Sequence, residues 1–174
     1  NDIENVHPVL RENNWKTKNL VLSGNFNLTN VDEMFEQLLS FGQHPKDYSD
    51  TVTILEKIGY RLDQMNERMI EEYKKEGYNK REISLLIEEN FDLTTVLKRA
   101  SENWDGGYVI AGMVGHGDAF VMRDPNGIRP ASYYADDELI VVASERSVIQ
   151  TVMNVPAERV SEIKPGHALI IKKS

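Results

Sequence analysis

One polar stretch of the sequence combines residue types that could stabilise an anion or a negatively charged reaction intermediate. It runs Gly24-Asn-Phe-Asn-Leu-Thr-Asn30, directly after the apolar run Leu20-Val-Leu22. Backbone N–H groups and amide side chains at a turn between a strand and a helix supply hydrogen-bond donors, and the helix dipole points the same way. The stretch therefore predicts an anion or oxyanion site.

The same residues have a simpler interpretation as the start of a helix. Asn30 stands where an N-cap would precede a helix over residues 31–39, and Glu33, three positions later, completes the pattern of a capping box. Because such boxes are common, the pattern alone favours the cap. Both interpretations stay open at this point.

The elements around this stretch are predicted to be one strand followed by several helices. We expect a strand over residues 19–23, a turn over 24–29, and a helix from Val31 that ends at Gly42, since its apolar residues recur at helical spacing. A second helix begins after Ser49-Asp50 and extends to Lys75. Two shorter helices are expected over residues 80–89 and 93–102, the latter capped by Asp92 or Thr94. The segment at about 51–103 is thus predicted to be helical.

After Trp104-Asp-Gly-Gly107 the pattern changes to short strands separated by turns. Strands are predicted over residues 108–114, 119–123, 131–134 and 139–143, and their spacing is typical of an antiparallel meander. A short helix over residues 145–153 precedes a strand pair over 162–172 around Lys164-Pro-Gly166. These elements predict an α+β fold in which helices pack on an antiparallel sheet.

Composition excludes several classes of function. A net charge of −8 and a pI near 5.1 argue against nucleic acid or an anionic membrane as a partner. The absence of cysteine removes disulfides, thiolate metal sites and a cysteine nucleophile from this chain. The four histidines lie in separate contexts without ligand spacing, so we expect surface histidines and no metal site. With no leader and no apolar run long enough to span a bilayer, we expect a single cytoplasmic domain.

The order of the motifs resembles the glutaminase domain of the class II glutamine amidotransferases, and the amidophosphoribosyltransferase branch in particular. The motifs that carry the resemblance are Gly24-Asn-Phe-Asn-Leu-Thr-Asn30, Ser49-Asp-Thr51, Gly106-Gly-Tyr108, Arg123-Asp-Pro-Asn-Gly-Ile-Arg-Pro130, Val142-Ala-Ser-Glu145 and Ile163-Lys-Pro-Gly166. The resemblance implies the four-layer αββα N-terminal-nucleophile hydrolase fold, with two facing antiparallel sheets between helix layers.

The resemblance also implies roles for individual residues. In the family an N-terminal cysteine hydrolyses glutamine with its own α-amine as base, and an Asn side chain and the next backbone N–H form the oxyanion hole. The matching positions are Asn25 and Phe26, where Phe26 replaces the family's usual Gly. Asp50 matches the acid that receives the substrate's α-ammonium, although as a first-turn acid it is also explained by the helix dipole. Arg123, Asp124 and Arg129 are expected to form a structural ion network, and Trp15 and Trp104 to serve packing.

Three family features are not found before Asn1: the nucleophilic cysteine, a strand after it, and an arginine that binds the substrate carboxylate. We therefore expect residues 1–174 to be a partial amidotransferase domain with its first strands missing, inactive by itself. The implied parent would transfer ammonia from glutamine to phosphoribosyl pyrophosphate in purine synthesis. Its phosphoribosyltransferase domain would follow Ser174 and use magnesium, whereas this chain needs no cofactor.

Two other hypotheses stay open. The same domain could serve another glutamine-dependent synthase, such as one making an amino sugar or asparagine. Alternatively, the domain has kept the fold, lost catalysis and serves binding or regulation, which the Phe26 replacement and the long helical segment support. Exposed apolar edges also lead us to expect a homo-oligomer.

Overall fold

The structure, a computed structural model, describes residues 7–45 and 47–173 of the chain. The helices within that part of the chain are α1 Val31–Ser40, α2 Asp50–Lys75, α3 Lys80–Asn90, α4 Leu93–Ala100 and α5 Arg146–Met153. The strands are β1 Val9–Arg11, β2 Leu20–Leu28, β3 Gly106–Val114, β4 Ala119–Arg123, β5 Ser132–Ala135, β6 Ile140–Ala143, β7 Ser161–Glu162 and β8 Ala168–Ile171. No helix in these two ranges is both long enough and apolar enough to cross a bilayer.

A five-stranded antiparallel sheet in the order β1-β2-β3-β4-β8 forms the centre of the fold. Its longest pairing joins β2 to β3 over nine residues, from Leu20 opposite Val114 to Leu28 opposite Gly106. The turn predicted over residues 24–29 is therefore wrong. Gly24 and Asn25 have low intrinsic strand preference, but pairing with β3 satisfies their backbone groups, and this long-range contact overrides the local preference.

The predicted meander is divided between two sheets. β3 and β4 belong to the five-stranded sheet, whereas β5, β6 and β7 form a second sheet in the order β6-β5-β7. The predicted strand pair over residues 162–172 is also wrong, because β7 pairs with β5 and β8 pairs with β4. The segment around Lys164-Pro-Gly166 thus carries the chain from one sheet to the other.

The packing gives four layers. One face of the large sheet packs against the helices between β2 and β3, where fully buried residues include Leu22, Ile58 and Ile110. Its other face meets the small sheet through a cluster centred on Val121 and Ile163. The outer face of the small sheet is covered by α5. This arrangement is the αββα layering that was predicted from the resemblance.

The helices agree closely with the sequence prediction, including the Asp92 cap of α4, although the cap of α1 differs. The α2 bounds match the predicted helix, and the Ser49 side chain accepts a hydrogen bond from Val52 N at 3.3 Å. Asn30 precedes α1, but its side chain makes no cap hydrogen bond. Instead, Asn30 Nδ2 donates to the carbonyl of Asn103 at 2.7 Å and its Oδ1 accepts from Asp105 N at 3.1 Å. The capping box predicted there is wrong, because Asn30 fastens the two ends of the helical segment together.

The predicted ion network around Arg123 takes a different form. Arg123 is buried and pairs with Glu162 at 2.6 Å, not with Asp124. Its Nε donates to the Arg129 carbonyl at 2.6 Å, so Arg129 contributes its backbone. Asp124, fully buried, accepts hydrogen bonds from the backbone N–H groups of the turn that follows it. The turn is therefore held by backbone hydrogen bonds to two buried charged side chains.

Candidate functional site

A pocket opens between the edge of β2 beyond its pairing with β1 and the N-terminus of α2, with a volume of about 430 Å³. Its lining residues come from three separate segments of the chain: His7, Gly24, Asn25, Phe26, Ser49, Asp50 and Thr51. The three residues predicted to form the site, Asn25, Phe26 and Asp50, therefore lie in one pocket. Both the long β2–β3 pairing and the start of α2 are needed to bring them together.

The edge of β2 in this pocket carries backbone donors because β1 is short. β1 pairs with residues 20–22 of β2 and leaves the rest of that edge without a neighbouring described strand. Gly24 N–H points to this edge and donates to His7 Nδ1 at 3.1 Å. In a strand, N–H groups two residues apart point to the same edge. The Phe26 N–H therefore also faces this edge, away from β3.

The Phe26 side chain does not distort the strand. It lies on the same face of β2 as Leu22 and Leu28, is half-buried, and packs against the core. Its ring centroid lies 5.3 Å from that of His7. Among the described residues other than glycine, only Asn103 and Asn154 have positive φ, so Phe26 occupies ordinary extended backbone. Asn25 lies on the opposite face and is exposed to solvent, where its amide is free to contact a ligand.

Asp50 is the first residue of α2, directly after the cap residue Ser49. Within residues 7–45 and 47–173 its carboxylate, which is half-exposed, makes no hydrogen bond or ion pair. The position favours a negative charge because it lies at the positive end of the helix dipole. An unpaired carboxylate in a pocket can bind a cationic group, and a substrate ammonium would satisfy it.

His7 is a pocket residue that the sequence did not reveal. The prediction of surface histidines is wrong for His7, which connects the two walls of the pocket. Since Nδ1 accepts from Gly24 N, the ring proton is on Nε2, which lies 3.5 Å from Thr51 Oγ1. The alternation of His7, Val9 and Arg11 was the available signal, because it continues the spacing of β1 toward the pocket.

His116 also departs from the surface prediction, but it lies outside the pocket. It is buried at the β3–β4 turn, with Nε2 at 3.2 Å from Asp118 Oδ2. Burial alone would raise the pKa of Asp118, yet hydrogen bonds from Lys172 Nζ and Lys173 N, together with the nearby His116 ring, lower it below its usual range. These contacts attach Lys172 and Lys173, which follow β8, to the turn between β3 and β4. Trp104 is buried and Trp15 packs against the core, as predicted.

Comparison with protein families shows the class of protein to which this fold belongs. The family model of the class II glutamine amidotransferases matches residues 13–174. The chain therefore belongs to the class II glutamine amidotransferases. A comparison with curated protein sequences gave no significant match.

Two solved structures are similar over almost the whole chain. One is the glutamine phosphoribosylpyrophosphate amidotransferase from B. subtilis, complexed with ADP and GMP, with 27% identity and a TM-score of 0.66 over 98% of this chain. The other is described as the allosteric regulatory enzyme of purine biosynthesis, with 28% identity and a TM-score of 0.65 over 97% of this chain. This chain covers 30% of the length of each. The predicted family and the N-terminal-nucleophile hydrolase fold are thus confirmed.

Proposed function

We propose that the pocket between β2 and α2 is the glutamine site of an amidotransferase domain. The observation that carries the proposal is the meeting of Asn25, the Phe26 N–H and Asp50 in one pocket. Asn25 Nδ2 and Phe26 N–H would donate to the oxygen of the substrate's side-chain amide as it becomes an oxyanion. Each such donor typically lowers the barrier by about 3 kcal/mol. Asp50 would bind the α-ammonium at the other end of glutamine.

The nucleophile is proposed to come from the parent polypeptide, since the 174 residues contain no cysteine. In the mechanism that the family implies, a thiolate attacks the amide carbon and the C–N bond breaks as the leaving nitrogen takes a proton. Ammonia leaves, and water then cleaves the thioester to give glutamate. The chain by itself would bind glutamine and release no ammonia.

We further propose that the parent resembles an amidophosphoribosyltransferase, with a phosphoribosyltransferase domain after Ser174. It would transfer the ammonia to phosphoribosyl pyrophosphate in purine synthesis, in the cytoplasm. The two similar solved structures support this parent, because one is a phosphoribosylpyrophosphate amidotransferase and the other an enzyme of purine biosynthesis. Magnesium would act with phosphoribosyl pyrophosphate in that second domain, and this chain would use no cofactor. Another glutamine-dependent synthase is the competing parent.

A second candidate function is binding without catalysis, and the Phe26 ring supports it. The ring packs near His7 on the wall of the pocket, where the family's usual Gly would leave open space. Gene sequence before Asn1 separates the candidates: a Met-Cys-Gly start supports the amidotransferase, and a start without cysteine supports the binding domain. Sequence after Ser174 identifies the synthase.

Titration of the purified chain with L-glutamine, followed by NMR, tests the glutamine site. We expect shifts of the Asn25 and Phe26 amide signals, and binding about tenfold weaker or more in Asp50→Asn, because a charge-assisted hydrogen bond is lost. Asp137→Asn, an exposed change in the β5–β6 turn, is the matched control and should bind glutamine normally.

The monoamide of glutaric acid, which lacks the α-ammonium, should bind equally to the unmutated 174-residue chain and to Asp50→Asn. If glutamine binding is unchanged in Asp50→Asn, the assignment of Asp50 is wrong. Ammonia release from glutamine by the cysteine-free chain would contradict the proposed source of the nucleophile.

A further inference from the structure

A second pocket, of about 320 Å³, lies between α2 and α4. Helix α2 contributes Arg61, Gln64, Met65 and Arg68, at positions i, i+3, i+4 and i+7 of one helix face. Helix α4 contributes Thr95, Val96 and Arg99. Arg61 is eleven residues beyond Asp50 on α2, about 16 Å at 1.5 Å per residue, so this pocket is separate from the glutamine site.

Three arginines in one pocket contrast with the net charge of −8 of the chain. Arg68 has a carboxylate partner, since its Nε lies 2.9 Å from Glu72 Oε1. Arg61 donates to the neutral Gln64 Oε1 at 2.8 Å. Within the described part of the chain, neither Arg61 nor Arg99 has a carboxylate within ion-pair distance. Two of the three arginines that line the pocket therefore have no direct carboxylate partner among the described residues.

An effect of this charge appears on the neighbouring Lys57, one turn before Arg61 on α2. Lys57 is 4% exposed and donates a hydrogen bond to Gln37 Oε1. Burial lowers the pKa of Lys57, and the charge of Arg61 lowers it further, whereas Glu102 acts in the opposite direction. A positive field that acts on one lysine would attract an anion entering the pocket.

The pocket also has an accessible apolar side chain that a simple inorganic anion would leave uncovered. Met65 is half-buried and packs against the main core, to which the buried Val96 beneath it belongs. A volume near 320 Å³ lies at the lower end of the range of about 300–1,000 Å³ for small-molecule sites. A ligand with a charged group and a compact apolar body fits this combination.

We propose that the pocket between α2 and α4 binds an organic phosphate, with the phosphate between Arg61 and Arg99 and the apolar body against Met65. A planar guanidinium donates two parallel hydrogen bonds to phosphate oxygens, and two guanidiniums from facing helices match the charge of a phosphate dianion. A carboxylate carries only one negative charge and would leave one of the two guanidinium charges without a counter-charge.

Calorimetric titration of the purified chain at low salt tests the proposal with phenyl phosphate, inorganic phosphate and benzoate as probes. We expect saturable binding of phenyl phosphate that is tighter than binding of either other probe. Arg99→Gln and Arg61→Gln should each weaken it about tenfold or more, since each removes charge-assisted hydrogen bonds. Lys98→Gln makes the same change of charge at the adjacent, exposed position outside the pocket and should leave binding within about twofold.

Circular dichroism confirms that each variant is folded, and Arg99→Lys, which keeps the charge but not the planar fork, should bind with intermediate affinity. The proposal is overturned if phenyl phosphate does not bind saturably, or if Lys98→Gln weakens binding as much as Arg99→Gln. Benzoate or inorganic phosphate binding as tightly as phenyl phosphate would equally overturn an organic phosphate as the ligand.

Discussion

Tyr108 and Asp124 exchange two hydrogen bonds where β3 begins and β4 has just ended. Asp124 N donates to the Tyr108 carbonyl at 2.9 Å, and Tyr108 N donates to the Asp124 carboxylate at 3.3 Å. The exchange adds one step to the β3–β4 register beyond Val109 and Arg123. On its other side Tyr108 pairs with Phe26 of the proposed glutamine site. Phe26, Tyr108 and Asp124 are thus adjacent across the sheet and connect β2 to the turn over residues 124–129.

Asp124→Asn should destabilise the fold by about 2 kcal/mol or more at pH 7, because Asp124 is a charged acceptor for four backbone N–H groups. Burial alone would raise the pKa of Asp124, but the hydrogen bonds from Arg129, Ile128, Tyr108 and Asn126 hold it below its usual range. A lowered pKa stabilises the fold above the unfolded value of about 3.9. The stabilisation is lost as the pH falls through the folded pKa.

Urea denaturation at pH 7, 5 and 3 measures this effect. The difference in the free energy of unfolding between the unmutated chain and Asp124→Asn should be the same at pH 7 and 5 and smaller at pH 3. Asp137→Asn, the exposed control, should change the free energy of unfolding by less than about 0.5 kcal/mol. A difference that grows on acidification would contradict the lowered pKa of Asp124.

Arg123→Lys should cost far more stability than removal of its ion-pair partner. The buried guanidinium donates to Glu162, to the Ile163 carbonyl at 2.7 Å and to the Gly127 carbonyl at 3.0 Å, besides Arg129. A lysine ammonium cannot reproduce this planar arrangement, so we expect a loss of about 2 kcal/mol or more in chemical denaturation.

Glu162→Gln is the comparison for Arg123→Lys. The Glu162 side chain is 56% exposed, and an ion pair open to solvent contributes less than about 1 kcal/mol. If the two variants lose equal stability, the ion pair and not the carbonyl contacts holds the two sheets together here.

Gly24→Ala should damage the glutamine site directly. A Cβ at this position would lie 2.6 Å from the Val109 carbonyl oxygen, on the neighbouring strand β3. Relief of that clash requires a backbone shift, at about 1–3 kcal/mol of stability. It would also move the adjacent Asn25 and Phe26, so glutamine binding should weaken. Ser23→Ala, next along the strand, should preserve both properties, and normal glutamine binding by Gly24→Ala would contradict the proposed placement.

Met113→Lys should reduce self-association of the chain. Leu10, Val21 and Met113 stand opposite one another on β1, β2 and β3, on the face away from the helices, with exposures of 54%, 39% and 54%. A paired apolar row of this kind favours association between copies. Sedimentation should show a dimer or higher oligomer that Met113→Lys shifts toward monomer. Val152→Lys, at an exposed position of α5, should leave the oligomeric state unchanged. A monomeric unmutated chain would contradict the predicted self-association.

Periodicity predicted the helices well because their apolar stripes are local. The bounds of α2 follow from the Ser49 cap and a stripe that includes Ile58 and Leu62. The strand over residues 24–28 was not predictable in the same way, because Gly24 and Asn25 become strand residues only through pairing with β3. The arginine pocket was also missed, since Arg61 and Arg99 are far apart in sequence and meet only when α2 packs on α4.

The residues of the proposed glutamine site were indicated by the order of motifs and not by local pattern. Asn25 looked like part of a turn before a helix cap, and Asp50 looked like an ordinary first-turn acid. His7 was missed because its partner Gly24 lies on β2, seventeen residues away, and a sequence pattern does not show which backbone N–H a histidine will accept from.

The pairing of Leu28 with Gly106 has a consequence for how this chain can change in length. Residues 29–105 connect these two paired positions. The segment therefore starts and ends at adjacent points on neighbouring strands of the sheet. The entropic cost of closing such a connecting segment grows only slowly with its length. Helices could therefore be lengthened, or a foreign domain inserted at the exposed bend of residues 77–79, without altering these two strands. The first turn of α2, which carries Asp50, lines the pocket beside Gly24, Asn25 and Phe26, so a change of length there would alter the proposed site.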